Sequence, residues 1–230
     1  MSASNPQTAT VSSPSVWHMY RAMVGVGLMC GVLIVSVFQW TRPIIERKKA
    51  EALQRAIFHV LPQARSSATF RLNGDRFEID PGQGQGDGAQ LVYAGYDEQQ
   101  ELVGVAIEAQ GMGYQDVIRV LYGYSFAQDA IIGIRVLDSK ETPGLGTRIE
   151  TDPQFLENFV RLDVSLNADG TALQNAIEAV KNGKKEHAWQ VDGITGATVS
   201  SVALANLLNR SAAIWSPRIR HSLNDLREAG

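Results

Sequence analysis

The ten residues Val191–Ser200, with the sequence VDGITGATVS, combine an acid, two glycines and two threonines in a pattern that could hold a phosphate. Residues 201–208 follow with apolar side chains at helical spacing, which predicts Thr198 at or just before a helix start. Free backbone N–H groups and the positive end of the helix dipole meet there, and both favour a phosphate. Gly196 and Ala197 leave room for another molecule to approach the Thr198 hydroxyl. Taken alone, however, this pattern is more simply explained by a threonine that caps a helix.

A second segment, Lys140–Gly146, has the sequence KETPGLG. Pro143 fixes one backbone angle, while Gly144 and Gly146 allow the backbone either to lie flat against a planar ring or simply to turn the chain. It precedes the first segment by about fifty residues.

In this order, the two segments resemble the signatures of the FMN-binding domain family. That family contains the G subunit of the Rnf electron-transport complex and the C subunit of the sodium-translocating NADH:quinone reductase. The pair is much more specific than either segment alone. The first signature matches Asp192, Thr195, Gly196, Ala197 and Thr198, and the second matches Glu141, Thr142, Pro143, Gly144, Leu145 and Gly146.

The resemblance implies that a flavin transferase joins FMN through its phosphate to Thr198, and that the Glu141–Gly146 segment lies against the flavin ring. The family also has a Gly/Tyr turn at the place of Gly113 and Tyr114. These two residues are therefore expected either near the cofactor or in a plain turn.

The function implied is that of a membrane-anchored electron-transfer subunit in an Rnf-type ion-translocating oxidoreductase, with covalent FMN and no catalytic residues of its own. Its partners would be the other subunits of the complex and the flavin transferase. Two alternatives stay open. The same flavin domain could serve another respiratory or photosynthetic membrane complex, or the chain could be a membrane-anchored binding module without flavin.

Composition and charge argue against several other classes of function. The apolar fraction of 44% and the charged fraction of 20% are typical of a globular protein. The net charge is −3 and basic tracts are lacking, which argues against a nucleic-acid partner. The single cysteine, Cys30, excludes an intrachain disulfide, and the four scattered histidines show no metal-ligand spacing.

The N-terminal part predicts a membrane anchor. Residues 1–21 are interpreted as a disordered tail, and residues 22–41 as a transmembrane helix, because twenty uncharged residues span about 30 Å. Trp17, Tyr20 and Trp40 stand where interfacial aromatic residues belong. A signal peptide is the alternative, but the apolar stretch is long for one and lacks both a charged n-region and an A-x-A-like site.

Two indications of membrane orientation conflict. Arg42, Arg47, Lys48, Lys49 and Arg55 follow the apolar stretch, so the positive-inside rule favours a cytoplasmic C-terminal domain. The family resemblance implies a single-pass protein of the inner membrane whose domain faces the periplasm. We adopt the second expectation, because large domains can cross a membrane against a modest charge bias.

The predicted fold is α+β. Residues 42–62 are expected to form an amphipathic connecting helix, residues 63–215 an FMN-binding domain, and residues 216–230 a charged tail without an assigned role. Within the domain, alternating apolar runs predict a mostly antiparallel sheet flanked by helices. One of these helices is predicted at Ala172–Lys181. A formal G-x-G-x-x-A match at Gly84, Gly86 and Ala89 is rejected as a dinucleotide site, because a strand pattern follows it.

Overall fold

The computed structural model describes residues 16–74, 76–80 and 90–227. The predicted tail up to residue 15, and Gly84, Gly86 and Ala89, lie outside these residues. The chain divides into two units, one up to Glu51 and the other from Ala52 onward.

The first unit consists of most of helix α1, which runs from Val16 to Val60. The large apolar side chains between Val16 and Ile45 are exposed. In the described part of the chain, α1 is the one helix that is long and apolar enough to cross a membrane. The helix begins inside the segment predicted as tail. It also continues through Pro43 instead of ending near residue 41. Pro43 contributes no backbone N–H to the helix. Just before it, the Thr41 hydroxyl donates to the Val37 carbonyl at 2.8 Å.

The second unit is built on a seven-stranded antiparallel sheet with the order β2-β1-β3-β4-β5-β6-β7. The strands are β1 (Ser66–Asn73), β2 (Arg76–Ile79), β3 (Leu91–Tyr96), β4 (Leu102–Met112), β5 (Val117–Ser125), β6 (Ala130–Asp138) and β7 (Leu162–Asp163). The predicted sheet is therefore confirmed. Most strands pair with their neighbours in sequence, as short hairpin connections require.

Alternation along the strands gives the sheet two buried faces. In β5, Ile118, Val120 and Tyr122 belong to the larger core, whereas Leu121 belongs to the smaller one. This period of two is what a pleated strand produces when both faces are covered.

Helix α4 (Thr198–His221) covers the larger face, where Leu204 and Leu208 are fully buried. The Tyr122 and Ser211 hydroxyls are 2.9 Å apart and hydrogen-bonded. The last turns of α1, from Ala56 to Val60, cover the other face together with Leu61. A helix on each side explains why the inner strands carry buried residues on both faces of the sheet.

The remaining elements are short. They are α2 (Arg148–Thr151), α3 (Pro153–Glu157), β8 (Glu178–Val180), β9 (Gln190–Asp192) and α5 (Leu223–Arg227). Asp152 caps α3 through its side chain, and Pro153 occupies the first turn of this helix, where proline is favoured.

The helix predicted at Ala172–Lys181 is wrong. This segment contains a bridge between Leu173 and Leu166 and then β8, which pairs in parallel with β9. The apolar spacing of Leu173, Ile177 and Val180 suits a helix, but the backbone bonds to other segments: the Ile177 N–H donates to Asn209 Oδ1 at 2.9 Å. Partners distant in sequence override a local helical pattern here.

The predicted tail is folded at residues 216–227; residues 228–230 lie outside the described part of the chain. Helix α4 continues to His221, and Leu226 in α5 is fully buried. The Tyr96 hydroxyl donates to the Leu226 carbonyl at 2.6 Å, and Asp225 accepts from the Phe77 N–H at 3.1 Å. Ile219, Leu223 and Leu226, spaced among charged and polar residues, gave too weak a pattern to predict this packing.

Candidate functional site

Thr198 is the first residue of α4, and its side chain is exposed. The N-cap position is taken by Ala197, which has no capping side chain, so the interpretation of Thr198 as an ordinary helix cap is wrong. Within residues 16–74, 76–80 and 90–227, the Thr198 hydroxyl makes no hydrogen bond. A threonine at the start of a long helix is thus left with an accessible, uncommitted hydroxyl.

The backbone before Thr198 is held in a fixed turn. Gly196 has a φ of +88°, which only glycine adopts without strain. The Ser201 hydroxyl donates to the Ala197 carbonyl at 2.9 Å and accepts from the Ile194 N–H at 3.1 Å. From the other side, Arg148 donates to the Thr195 carbonyl at 2.9 Å. Ser201 and Arg148 were not predicted as site residues, because their role depends on contacts that sequence spacing does not reveal.

A cavity of about 350 Å³ opens beside Thr198. It brings three predicted segments together: the turn at residues 113–114, the segment 141–146 and the loop before α4. The residues that line it are Tyr114, Thr142, Leu145, Gly146, Gly196, Ala197, Thr198, Val199 and Ser200. Tyr114, Leu145 and Val199 present large exposed apolar surfaces.

The Glu141–Gly146 segment supports one wall of the cavity. Glu141 is buried and accepts hydrogen bonds from the Ser200 hydroxyl at 2.5 Å and from the Gln115 N–H at 2.9 Å. The Thr142 hydroxyl donates to Gln115 Oε1 at 3.1 Å. Pro143 and Gly144 form an exposed turn beside the cavity.

Gly113 and Gly146 pack closely against the Glu141 side chain. A Cβ atom at Gly113 would lie 2.5 Å from Oε1, and one at Gly146 would lie 2.6 Å from Oε2. Both positions therefore require glycine for lack of space. Neither Gly113 nor Glu141 lines the cavity itself; they lie behind its wall.

Asp192 is not among the residues that line the cavity. Its carboxylate accepts from the N–H groups of Gly183 at 2.9 Å and Lys184 at 3.3 Å. Its backbone N–H and carbonyl both bond to the Asn158 side chain. Asp192 thus fixes the strand that leads into the Thr198 loop.

We expect Asp192→Ala to loosen the 183–184 turn. Each lost hydrogen bond to a carboxylate is worth about 1.5–3 kcal/mol, so amide exchange at Gly183 and Lys184 should accelerate by roughly ten-fold or more. Hydrogen–deuterium exchange measures this. Asp169→Ala is the matched control, because Asp169 is exposed in another turn. Unchanged exchange at both amides would show that the Asp192 carboxylate does not hold the turn.

Two ion pairs flank the cavity. Lys140 bonds to Asp116 at 2.9 Å, and this hydrogen bond raises the pKa of Lys140 and lowers the pKa of Asp116. Arg148 bonds to Asp152 at 2.6 Å. Burial works to raise the pKa of Asp152, but hydrogen bonds from Arg148 and the α3 backbone hold it below its usual value.

Lys185 lies near the other end of the loop, where Nζ donates to Asn158 Oδ1 at 3.1 Å. Burial lowers the pKa of this ammonium group. Its side chain is thus part of the Asn158–Asp192 network and does not line the cavity.

Comparison with known proteins gives the family. Residues 113–213 match the model of the FMN-binding domain. The chain is 33% identical over 198 residues to the G subunit of the ion-translocating oxidoreductase complex of Methanosarcina acetivorans, covering 86% of this chain and 93% of that protein. The chain belongs to the FMN-binding domain family.

Further relatives agree. The G subunit of the corresponding complex from Cereibacter sphaeroides is 28% identical over 212 residues, which cover 89% of this chain and 85% of that protein. The crystal structure of Shewanella oneidensis NqrC superposes with a TM-score of 0.63 at 18% identity, over 80% of this chain and 100% of that one. The α+β fold expected from the resemblance is therefore confirmed. The family match spans every residue that lines the cavity.

Proposed function

We propose that this chain is a membrane-anchored electron-transfer subunit of an Rnf-type ion-translocating oxidoreductase complex, with FMN attached to Thr198 through a phosphoester. The observation that carries this proposal is the exposed Thr198 hydroxyl at the start of a 24-residue helix, beside a cavity that joins both family signatures. The names of the relatives, which are G subunits of ion-translocating oxidoreductase complexes, support the assignment to such a complex.

The residues present fit a flavin phosphate. The backbone N–H groups of Thr198, Val199 and Ser200 have no hydrogen-bond acceptor among the described residues, as expected for the first turn of a helix. These donors and the helix dipole would stabilise the negative charge of a phosphodiester at Thr198. Attachment forms one bond from the Thr198 oxygen to phosphorus, with loss of the hydroxyl proton and of the leaving group that the flavin donor carries.

The cavity walls also fit a planar aromatic ring system with an apolar end and a polar end. Tyr114, Leu145 and Val199 would contact such a ring, while Thr142 offers a hydroxyl at its edge. Bound FMN supplies the redox chemistry, and the protein fixes its place and surroundings. A covalent tether prevents loss of the flavin outside the cytoplasm, where this domain is proposed to lie.

The direct test is the mass of the chain made together with a flavin transferase. We expect the intact mass to exceed the amino-acid mass by one FMN residue, and yellow fluorescence to persist on a denaturing gel. A colourless chain of unmodified mass would leave a membrane-anchored module without flavin. The subunits that co-purify distinguish an Rnf-type complex from another respiratory or photosynthetic assembly.

Sidedness needs its own experiment, because the flanking charges and the family resemblance disagree. Protease added to intact spheroplasts should digest the domain from Ala52 onward if it faces the periplasm. Protection until the membrane is permeabilised would place the domain in the cytoplasm and overturn this part of the proposal.

A further inference from the structure

Glu141 is a carboxylate in an unusually closed setting. Only 3% of its surface is exposed, and Ser200, its hydrogen-bond donor in α4, is 2% exposed. Carboxylates are rarely buried to this extent unless a cation pairs with them. No ion pair of Glu141 exists in the part of the chain that the structure describes.

The partners of the carboxylate are neutral donors. The Ser200 hydroxyl donates to Oε2 and the Gln115 N–H donates to Oε1. Ser200 is the third residue of α4, so the positive end of that helix also lies on this side. The charge is therefore accommodated by dipoles and not cancelled by a counter-ion.

The carboxylate lies directly behind the cavity wall. Ser200 and Gly146 line the cavity, and both are packed against the carboxyl group. A Cβ atom placed on Gly146 would lie only 2.6 Å from Glu141 Oε2. A charge in a dry interior acts more strongly over such distances than a charge in water, and dissolved salt screens it poorly.

We infer that Glu141 lowers the reduction potential of the flavin bound in this cavity. This inference rests on the proposed function. A fixed negative charge disfavours the addition of electrons nearby. The hydrogen bond from Ser200 links segment 141–146 to the first turn of α4, so Glu141 is also a positioning residue.

The test compares the midpoint potential of the bound flavin in two variants that break the same hydrogen bond. Glu141→Gln removes the charge and keeps the shape, so the potential should rise. Ser200→Ala removes the hydroxyl donor and keeps the charge, so the potential should stay close to that of the wild type. The matched control is Glu157→Gln, the same charge change at an exposed site in α3, which should shift the potential much less.

General loosening of the site would raise the potential of both variants equally, and that result overturns the inference. A Glu141→Gln potential that does not differ from the control also overturns it. If Glu141→Gln does not fold, Ser200→Ala decides alone: an unchanged potential supports the inference, and a rise while the charge is still present contradicts it. Wild-type protein without flavin would instead refute the proposed function.

A second measurement does not need the flavin. In the Thr198→Ala protein, Glu141→Ala should accelerate amide exchange at Gln115, whose N–H loses its acceptor. Amide exchange at Leu208, in the middle of α4, should stay unchanged, which separates this local effect from global unfolding. Unchanged exchange at Gln115 means that the carboxylate does not hold this position in solution, which overturns the inference.

Discussion

Thr198→Ala should abolish covalent flavin attachment completely, so that the purified chain has only its amino-acid mass and shows no fluorescence on a denaturing gel. The hydroxyl oxygen is the proposed acceptor, and alanine offers no atom in its place. The substitution should leave the fold intact. Thr198 is exposed, makes no hydrogen bond to the described residues, and occupies a helical position that alanine favours, so stability should change by only about 0.5 kcal/mol.

Two controls make this result specific. Thr151→Ala removes an exposed threonine hydroxyl that lies outside both signatures and should keep the flavin. Thr198→Ser keeps a hydroxyl and should keep at least part of the modification. Flavin that remains on Thr198→Ala would assign the attachment to another residue, and peptide mapping would identify it.

Gly123→Ala should destabilise the domain strongly. Gly123 lies in β5, an inner strand of the sheet, where a Cβ atom would overlap the Val60 carbonyl oxygen at the end of α1. Neither group can move easily, because both belong to backbone in a buried layer. Overpacking of this kind should lower the free energy of unfolding by about 3 kcal/mol. For a domain of this size, that corresponds to a melting temperature lower by roughly 6–12 °C.

A graded series tests the cause. Gly133→Ala places a Cβ 3.0 Å from Val60 and should cost less, while Gly31→Ala in the exposed part of α1 meets nothing within 4 Å and should cost nothing measurable. Thermal unfolding of the detergent-solubilised chain gives all three values. Equal effects at Gly123 and Gly31 would show that the last turns of α1 do not pack on the sheet.

The sequence predicts much of this fold, because its strongest patterns are local. Alternating apolar residues predict the mostly antiparallel sheet, including the long strands β3 to β6. The uncharged stretch in α1 and the two glycine-rich segments are equally local. Their resemblance to a family identified Thr198 and FMN, because both motifs are continuous runs of residues along the chain.

Two of the wrong predictions have the same physical cause. Residues 172–181 and 216–227 are stabilised by partners far away in the chain: Asn209 for Ile177, and Tyr96 and Phe77 for α5. The spacing of apolar residues along the chain does not reveal those partners. A bridge and a strand were therefore predicted as a helix, and the packed helix α5 was predicted as part of a tail.

The sequence by itself determined the residue types of the site, the order of its two motifs and an apolar segment long enough for a membrane. Only the tertiary structure decided what each residue does. It removed Thr198 from the capping position, assigned Asp192 to a neighbouring turn, and buried Glu141 against Ser200 behind the cavity wall. Hydrogen bonds between residues fifty-nine positions apart depend on how the sheet and α4 pack, and that packing is a property of the whole domain.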